Sequence, residues 1–119
     1  MSRPIGFLQS CTVGIAGAGG LGSNCAVALA RSGVGRLVIA DFDCVSRGNL
    51  NRQAFFCDQV GMKKVHALKE NLRRMAPDTE VTALDVHLTA KNVLSVFSTC
   101  PVVVEALDSA EAKQMIVEA

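Results

Sequence analysis

The chain of 119 residues contains no tryptophan and no tyrosine, and its aromatics are five phenylalanines. The stacking platform that single-stranded nucleic acid uses is therefore missing. Charge of one sign is missing too. Twelve Lys and Arg against 11 Asp and Glu leave a net charge of +1, too little for a field that would gather nucleic acid or an anionic membrane surface. No apolar run has the length of a membrane span, and Met1-Ser2-Arg3-Pro4 does not open a secretory signal. No linker rich in Pro or Gly divides the chain, so a single domain over residues 1–119 is expected. The five cysteines (Cys11, Cys25, Cys44, Cys57 and Cys100) are odd in number and form no C-x-x-C pair. That speaks against a disulfide framework or a zinc knuckle, and for a reducing, cytoplasmic setting.

What is present is an alternation of short apolar runs with helical patterns. Residues 12–16 form an apolar run that leads into glycines, as a buried parallel strand does. Residues 21–32, rich in Ala, Leu and Val nearly all round, predict a helix packed on a sheet and closed by Gly33 and Gly35. Residues 36–40 predict a second buried strand, which completes a βαβ unit. A long polar stretch follows to Asp58. Residues 60–75 then predict an amphipathic helix with Val65, Leu68, Leu72 and Met75 on one face and Lys63, Lys64, Lys69, Arg73 and Arg74 on the other. Strands at 80–84 and 102–104, a short helix from Thr89 to Phe97 and a last helix from Ser109 complete the pattern. The expected class is α/β: a Rossmann-like, doubly wound, mostly parallel sheet. The last helix has no stop signal before Ala119, so the chain is expected to be the N-terminal part of a longer protein.

Gly17, Gly19 and Gly22 spell G-x-G-x-x-G between a predicted strand and a predicted helix, with Gly20 inside the motif. Such a turn lets backbone approach phosphate and aims a helix N-terminus at it. A glycine-rich turn that only packs helix on strand is the plainer alternative. Asp41, at the tip of the second strand, suits ribose hydroxyls and would repel a 2′-phosphate. Arg52 offers a planar fork for a phosphate or, alternatively, a partner for Asp43 or Asp58. His66 and His87 read as surface and loop residues, and Cys44 and Cys57 as buried or incidental thiols.

The run Asp41-Phe42-Asp43-Cys44-Val45-Ser46-Arg47-Gly48-Asn49-Leu50-Asn51-Arg52-Gln53 lies between Gly17-Ala18-Gly19-Gly20-Leu21-Gly22-Ser23 and Val60-Gly61-Met62-Lys63-Lys64. In that order these segments resemble the ThiF/MoeB/HesA adenylyltransferases, bacterial relatives of ubiquitin-activating enzymes, and most of all their thiamine-biosynthesis branch. The similarity runs from about Thr12 to the end. It implies ATP-dependent adenylation of the C-terminal glycine of a ubiquitin-like sulfur-carrier protein ending in Gly-Gly, with release of pyrophosphate. It further implies ATP and Mg²⁺ as cofactors and a homodimer. By the same resemblance Arg52, Lys64 and Asp108 are the catalytic residues, and Asp108 is associated with the metal. Nucleotide contacts fall on Gly17, Gly19, Gly20, Gly22, Asp41, Gly48, Asn49, Arg52, Gln53, Lys64, Asp108 and Ser109. Lys63 competes with Lys64, and the N-cap of the last helix is the plainer alternative for Asp108.

Three features depart from the family. Gly48 stands where relatives often carry Ser, the N-terminal segment lacks their arginine motif (Arg3 is a poor substitute), and no C-x-x-C pair or sulfur-handling cysteine is present. Within the family, molybdopterin-carrier activation, a tRNA-modifying dehydratase and a peptide-modifying relative remain open, and so do two other classes: an NAD-linked Rossmann oxidoreductase, which gives Arg52 and Lys64 no task, and a non-catalytic nucleotide-binding interaction domain.

Overall fold

The structure, a computed structural model, describes residues 5–107. Strands Thr12–Ala16 (β1), Arg36–Asp41 (β2), Glu80–Asp85 (β3) and Val102–Glu105 (β4) form one parallel sheet in the order β3-β2-β1-β4. Helices Ile5–Gln9 (α1), Gly20–Arg31 (α2), Lys64–Met75 (α3) and Val93–Val96 (α4) accompany it. The two-residue period of a strand divides β2 between two cores. Leu37 and Ile39 pack with Ala26 and Ala30 of α2 and with Val65, Leu68 and Leu72 of α3. Val38 and Ala40 face the opposite side, with Leu88, Val93 and Phe97. Apolar cover on both faces explains why β2 carries an unbroken apolar run, and the doubly wound α/β architecture is the one expected.

Along α3 the buried face is Val65, Leu68 and Leu72, all at 0% exposure, while Lys69, Arg73 and Arg74 are exposed on the other. Each of those apolar side chains contributes roughly 1.5–3 kcal/mol on burial. Arg73 and Arg74 sit in the last turn, where cations complement the helix dipole.

Two boundaries differ from the sequence expectation. The helix expected from residue 60 begins at Lys64, because Gly61 adopts φ +95° and residues 61–64 pair with the loop instead. Val45 N–H donates to Met62 O (2.8 Å), Gly61 N–H to Val45 O (2.9 Å) and Lys64 N–H to Asp43 O (2.9 Å). The helix expected from Thr89 is regular only over α4. Before it, Thr89 caps the first turn: its N–H donates to Asn92 Oδ1 (2.8 Å), its Oγ1 accepts the Asn92 N–H (3.3 Å) and its carbonyl accepts the Val93 N–H (3.0 Å). α1 was not anticipated, being too short for a periodic signal. The last expected helix, from Ser109, lies outside the described residues.

Because all four strands run parallel, their carboxyl ends share one edge, and Gly17, Asp41, Val86 and Ala106 follow the strands there. Among the described residues no helix is long and apolar enough to cross a membrane.

Candidate nucleotide site

The glycine turn combines two kinds of glycine. Gly17 has φ +104°, and a Cβ on it would stand 2.6 Å from Ala106 O. A Cβ on Gly22 would collide with Gly17 O. These two are demanded by the protein's own packing. Gly19 and Gly20 are not. A Cβ on Gly19 would lie 3.7 Å from Gln53 Nε2 and 4.0 Å from Lys64 Nζ, and one on Gly20 would lie 3.7 Å from Arg52 Nη1. Their missing side chains keep open the space that those three polar groups surround. α2 begins there with no side-chain cap, so its first N–H groups and positive dipole end face that space.

Asp41 latches the turn to the tip of β2. Its Oδ2 accepts the Ala18 N–H (2.7 Å) and its Oδ1 the Asp43 N–H (2.8 Å). Each oxygen keeps a second acceptor site, which leaves room for ribose hydroxyls. Asp41 lines a cavity of about 250 Å³ together with Gly17, Gly19, Phe42, Lys64 and His87. This is just below the usual range of about 300–1,000 Å³ for ligand pockets, and the cavity adjoins the open space over Gly19.

The two adjacent lysines separate completely. Lys64, the first residue of α3, is 5% exposed with its ammonium beside Gly19, and among the described residues no carboxylate stands within ion-pair distance of it. A buried cation without a counter-ion is a costly arrangement that an anionic ligand relieves. Lys63 precedes the helix in extended conformation and turns outward. Its Nζ donates to Phe42 O (2.9 Å) and pairs with Asp85 Oδ1 (3.4 Å). The choice between the lysines, framed from sequence as a rotation about one helix, is made here by the helix boundary falling between them.

Arg52 is exposed, on the far side of the turn from Lys64. Its loop is held by side chains bonding to backbone. Asn24 Nδ2 donates to Gly20 O (2.6 Å) and Arg52 O (2.9 Å), and Ser23 Oγ accepts the Ala54 N–H (3.0 Å). Asn71 Nδ2 donates to Ala54 O (3.0 Å), and Asn71 and Gln59 exchange two amide hydrogen bonds (2.7 and 2.9 Å). Gln53 is 8% exposed, and its buried Oε1 has no hydrogen-bond partner among the described residues. Gly48 and Asn49 belong to a 3-10 turn at Arg47–Asn49, and a Cβ on Gly48 would point into open space. Gly48 thus leaves its own position vacant rather than serving a packing need.

With this geometry established, the comparison with known proteins is decisive. Residues 7–119 match the ThiF family. The chain belongs to that family. It is 38% identical over 112 residues to the SAMP-activating enzyme E1 of Haloferax volcanii, covering 93% of this chain and 42% of that enzyme. It is 34% identical over 115 residues to the sulfur carrier protein ThiS adenylyltransferase of Bacillus subtilis, covering 94% of this chain and 34% of that protein. Crystal structures of Escherichia coli tRNA N6-threonylcarbamoyladenosine dehydratase in complex with AMP and with ATP both align at a TM-score of 0.90. They share 33% identity over 95% of this chain and 47% of the other. The chain therefore spans less than half the length of these ThiF-family relatives.

Of the residues singled out from sequence, the structure brings Gly17, Gly19, Gly20, Gly22, Asp41, Arg52, Gln53 and Lys64 around one turn. Asp108 and Ser109 lie outside the described residues. Cys44 and Cys57 are exposed, which removes the buried reading of both, and His66 is exposed as expected. Sequence reasoning missed Ser23, Asn24, Gln59 and Asn71, which position the loop, and the Phe42–His87 ring pair (centroids 4.6 Å apart) at the cavity wall. Asn71 did leave a signal: it is a polar residue between Leu68 and Leu72 on the apolar face of α3.

Proposed function

We propose that this chain forms the nucleotide-binding, N-terminal part of an ATP-dependent adenylyltransferase, with a ubiquitin-like sulfur carrier ending in Gly-Gly, of the ThiS kind, as its substrate. One observation carries the reading: an ammonium and a guanidinium, Lys64 and Arg52, flank the two glycines that the fold itself does not need. A hydride-transfer site has no use for two cations there, whereas a triphosphate requires them.

The carrier's C-terminal carboxylate has a reference pKa of about 3.3–3.7, so it is ionised at neutral pH and attacks without a general base. Its oxygen forms a bond to the α-phosphorus, the bond from that phosphorus to the α–β bridging oxygen breaks, and pyrophosphate leaves with the electron pair. Lys64, Arg52 and the N-terminus of α2 offset the charge that repels the incoming anion and builds on the leaving group. Asp41 orients the ribose while holding the turn, and Gln53 and Asn49 position the phosphates and the loop. Mg²⁺ would supply further charge neutralisation to the phosphates there. Among the described residues no group of three or more His, Cys, Asp or Glu could hold a metal. By the family resemblance Asp108, outside the described residues, would hold the metal. A homodimer in the cytoplasm completes the proposal, in keeping with five unpaired thiols.

The test is carrier-dependent exchange of labelled pyrophosphate into ATP by the full protein. Exchange that falls roughly 10²–10³-fold in Arg52→Ala, the range for loss of one preorganised donor, supports the reading. NAD binding without ATP binding, or ATP binding without exchange, refutes it.

A further inference from the structure

Lys63 lies one residue from the buried Lys64, yet its contacts are with Phe42 and Asp85, at the tips of β2 and β3. We infer that Lys63 is a positioning residue for the base and ribose side of the nucleotide pocket, acting as a clamp across the tips of β2 and β3 rather than as a second phosphate cation. The inference rests on the nucleotide reading above and adds a residue which that reading does not use.

The clamp has two arms. Lys63 Nζ donates to the main-chain carbonyl of Phe42, the first residue after β2, at 2.9 Å. The same nitrogen lies 3.4 Å from Asp85 Oδ1, on the last residue of β3. Asp85 is the register partner of Asp41, and Val86 N–H donates to Asp41 O (3.2 Å), so the two strand tips are adjoined where the cavity opens. Asp41, Phe42, Val86 and His87 all line that cavity, and the Phe42 ring rests against the His87 ring. One ammonium thus ties together the two segments that carry the wall.

Its charge matters as much as its hydrogen bond. Asp41, Asp43 and Asp85 crowd this corner of an intended polyanion site, and Lys63 is the cation paired to one of them. Removing it would loosen Phe42 and leave the Asp85 charge uncompensated near the ribose. The Lys63 and Asp85 side chains are 40% and 39% exposed, so the pair adds little to global stability; its effect is local.

The experiment compares three probes, ATP, AMP and inorganic tripolyphosphate, binding to the full protein by calorimetry. Lys63→Met is expected to weaken ATP and AMP alike by roughly five- to tenfold, the scale of one net hydrogen bond, and to leave tripolyphosphate unchanged. Lys63→Arg, which keeps both arms, restores ATP and AMP binding, and Asp85→Asn reproduces part of the loss. The melting temperatures of all three variants stay at the wild-type value. Equal weakening of tripolyphosphate makes Lys63 a phosphate cation and overturns the inference. Unchanged ATP and AMP binding in Lys63→Met overturns it too, while the nucleotide reading stands. A wild-type protein that binds none of the probes overturns that reading and this inference with it.

Discussion

Two regions meet at the carboxyl edge of the sheet, and they are shaped by different forces. The glycine turn between β1 and α2 is set by steric exclusion: main-chain atoms of Gly17 and Ala106 occupy the places where side chains of Gly22 and Gly17 would be. The loop over residues 46–63 has no such constraint. It is held by Ser23 and Asn24 of α2 and Asn71 of α3, which reach into it, by its own Gln59 bonded to Asn71, and by backbone bonds of Gly61 and Met62 to Val45. The turn is rigid because nothing else fits. The loop is placed because specific hydrogen bonds outcompete water, and each of those is worth only about 0.5–1.5 kcal/mol net. A phosphate held between the two therefore rests on one wall that is fixed and another that is adjustable.

That contrast can be broken most severely on the turn. Gly22→Ala forces its methyl into Gly17 O and is expected to destabilise the fold by about 3 kcal/mol, read as the midpoint of urea unfolding. On the loop side, Asn71→Leu strands the Gln59 amide and the Ala54 carbonyl, with an expected loss of about 2 kcal/mol in the same measurement. Gly19→Ala sharpens the comparison within the turn itself. Its methyl meets protein atoms only at ordinary contact distances of 3.7 and 4.0 Å, so the unfolding midpoint should barely move. Affinity for ATP, measured by calorimetry, should fall about tenfold, which corresponds to about 1.4 kcal/mol. The smallest effect belongs to Asn24→Ala. Its amide is exposed, so stability should fall by less than about 1 kcal/mol while the pyrophosphate-exchange rate drops through a less well placed Arg52.

The same division explains what the sequence could convey. The strands, α2 and the buried face of α3 were legible because apolar period and glycine spacing are imposed by packing, and packing leaves a periodic trace. Asp41 was legible at the tip of β2 for the same reason, though its second task, latching Ala18 N–H, was not. The start of α3 was misplaced because a local pattern cannot reveal that residues 61–64 pair with Val45 and Asp43, a contact between segments remote in sequence. That single boundary hid the separation of Lys63 from Lys64. Asn24 and Gln59 left no signal, since a side chain's hydrogen bond to distant backbone has no period at all. Family membership covers residues 7–119, but it does not say which bonds hold the loop; those come from the geometry.

The most direct measurement of the central claim is a crystal structure of the protein with a non-hydrolysable ATP analogue. The account predicts phosphate oxygens within about 3 Å of both Lys64 Nζ and the Arg52 guanidinium, lying over Gly19 and Gly20 with the ribose against Asp41. A triphosphate that lies elsewhere, or that touches neither cation, would contradict it.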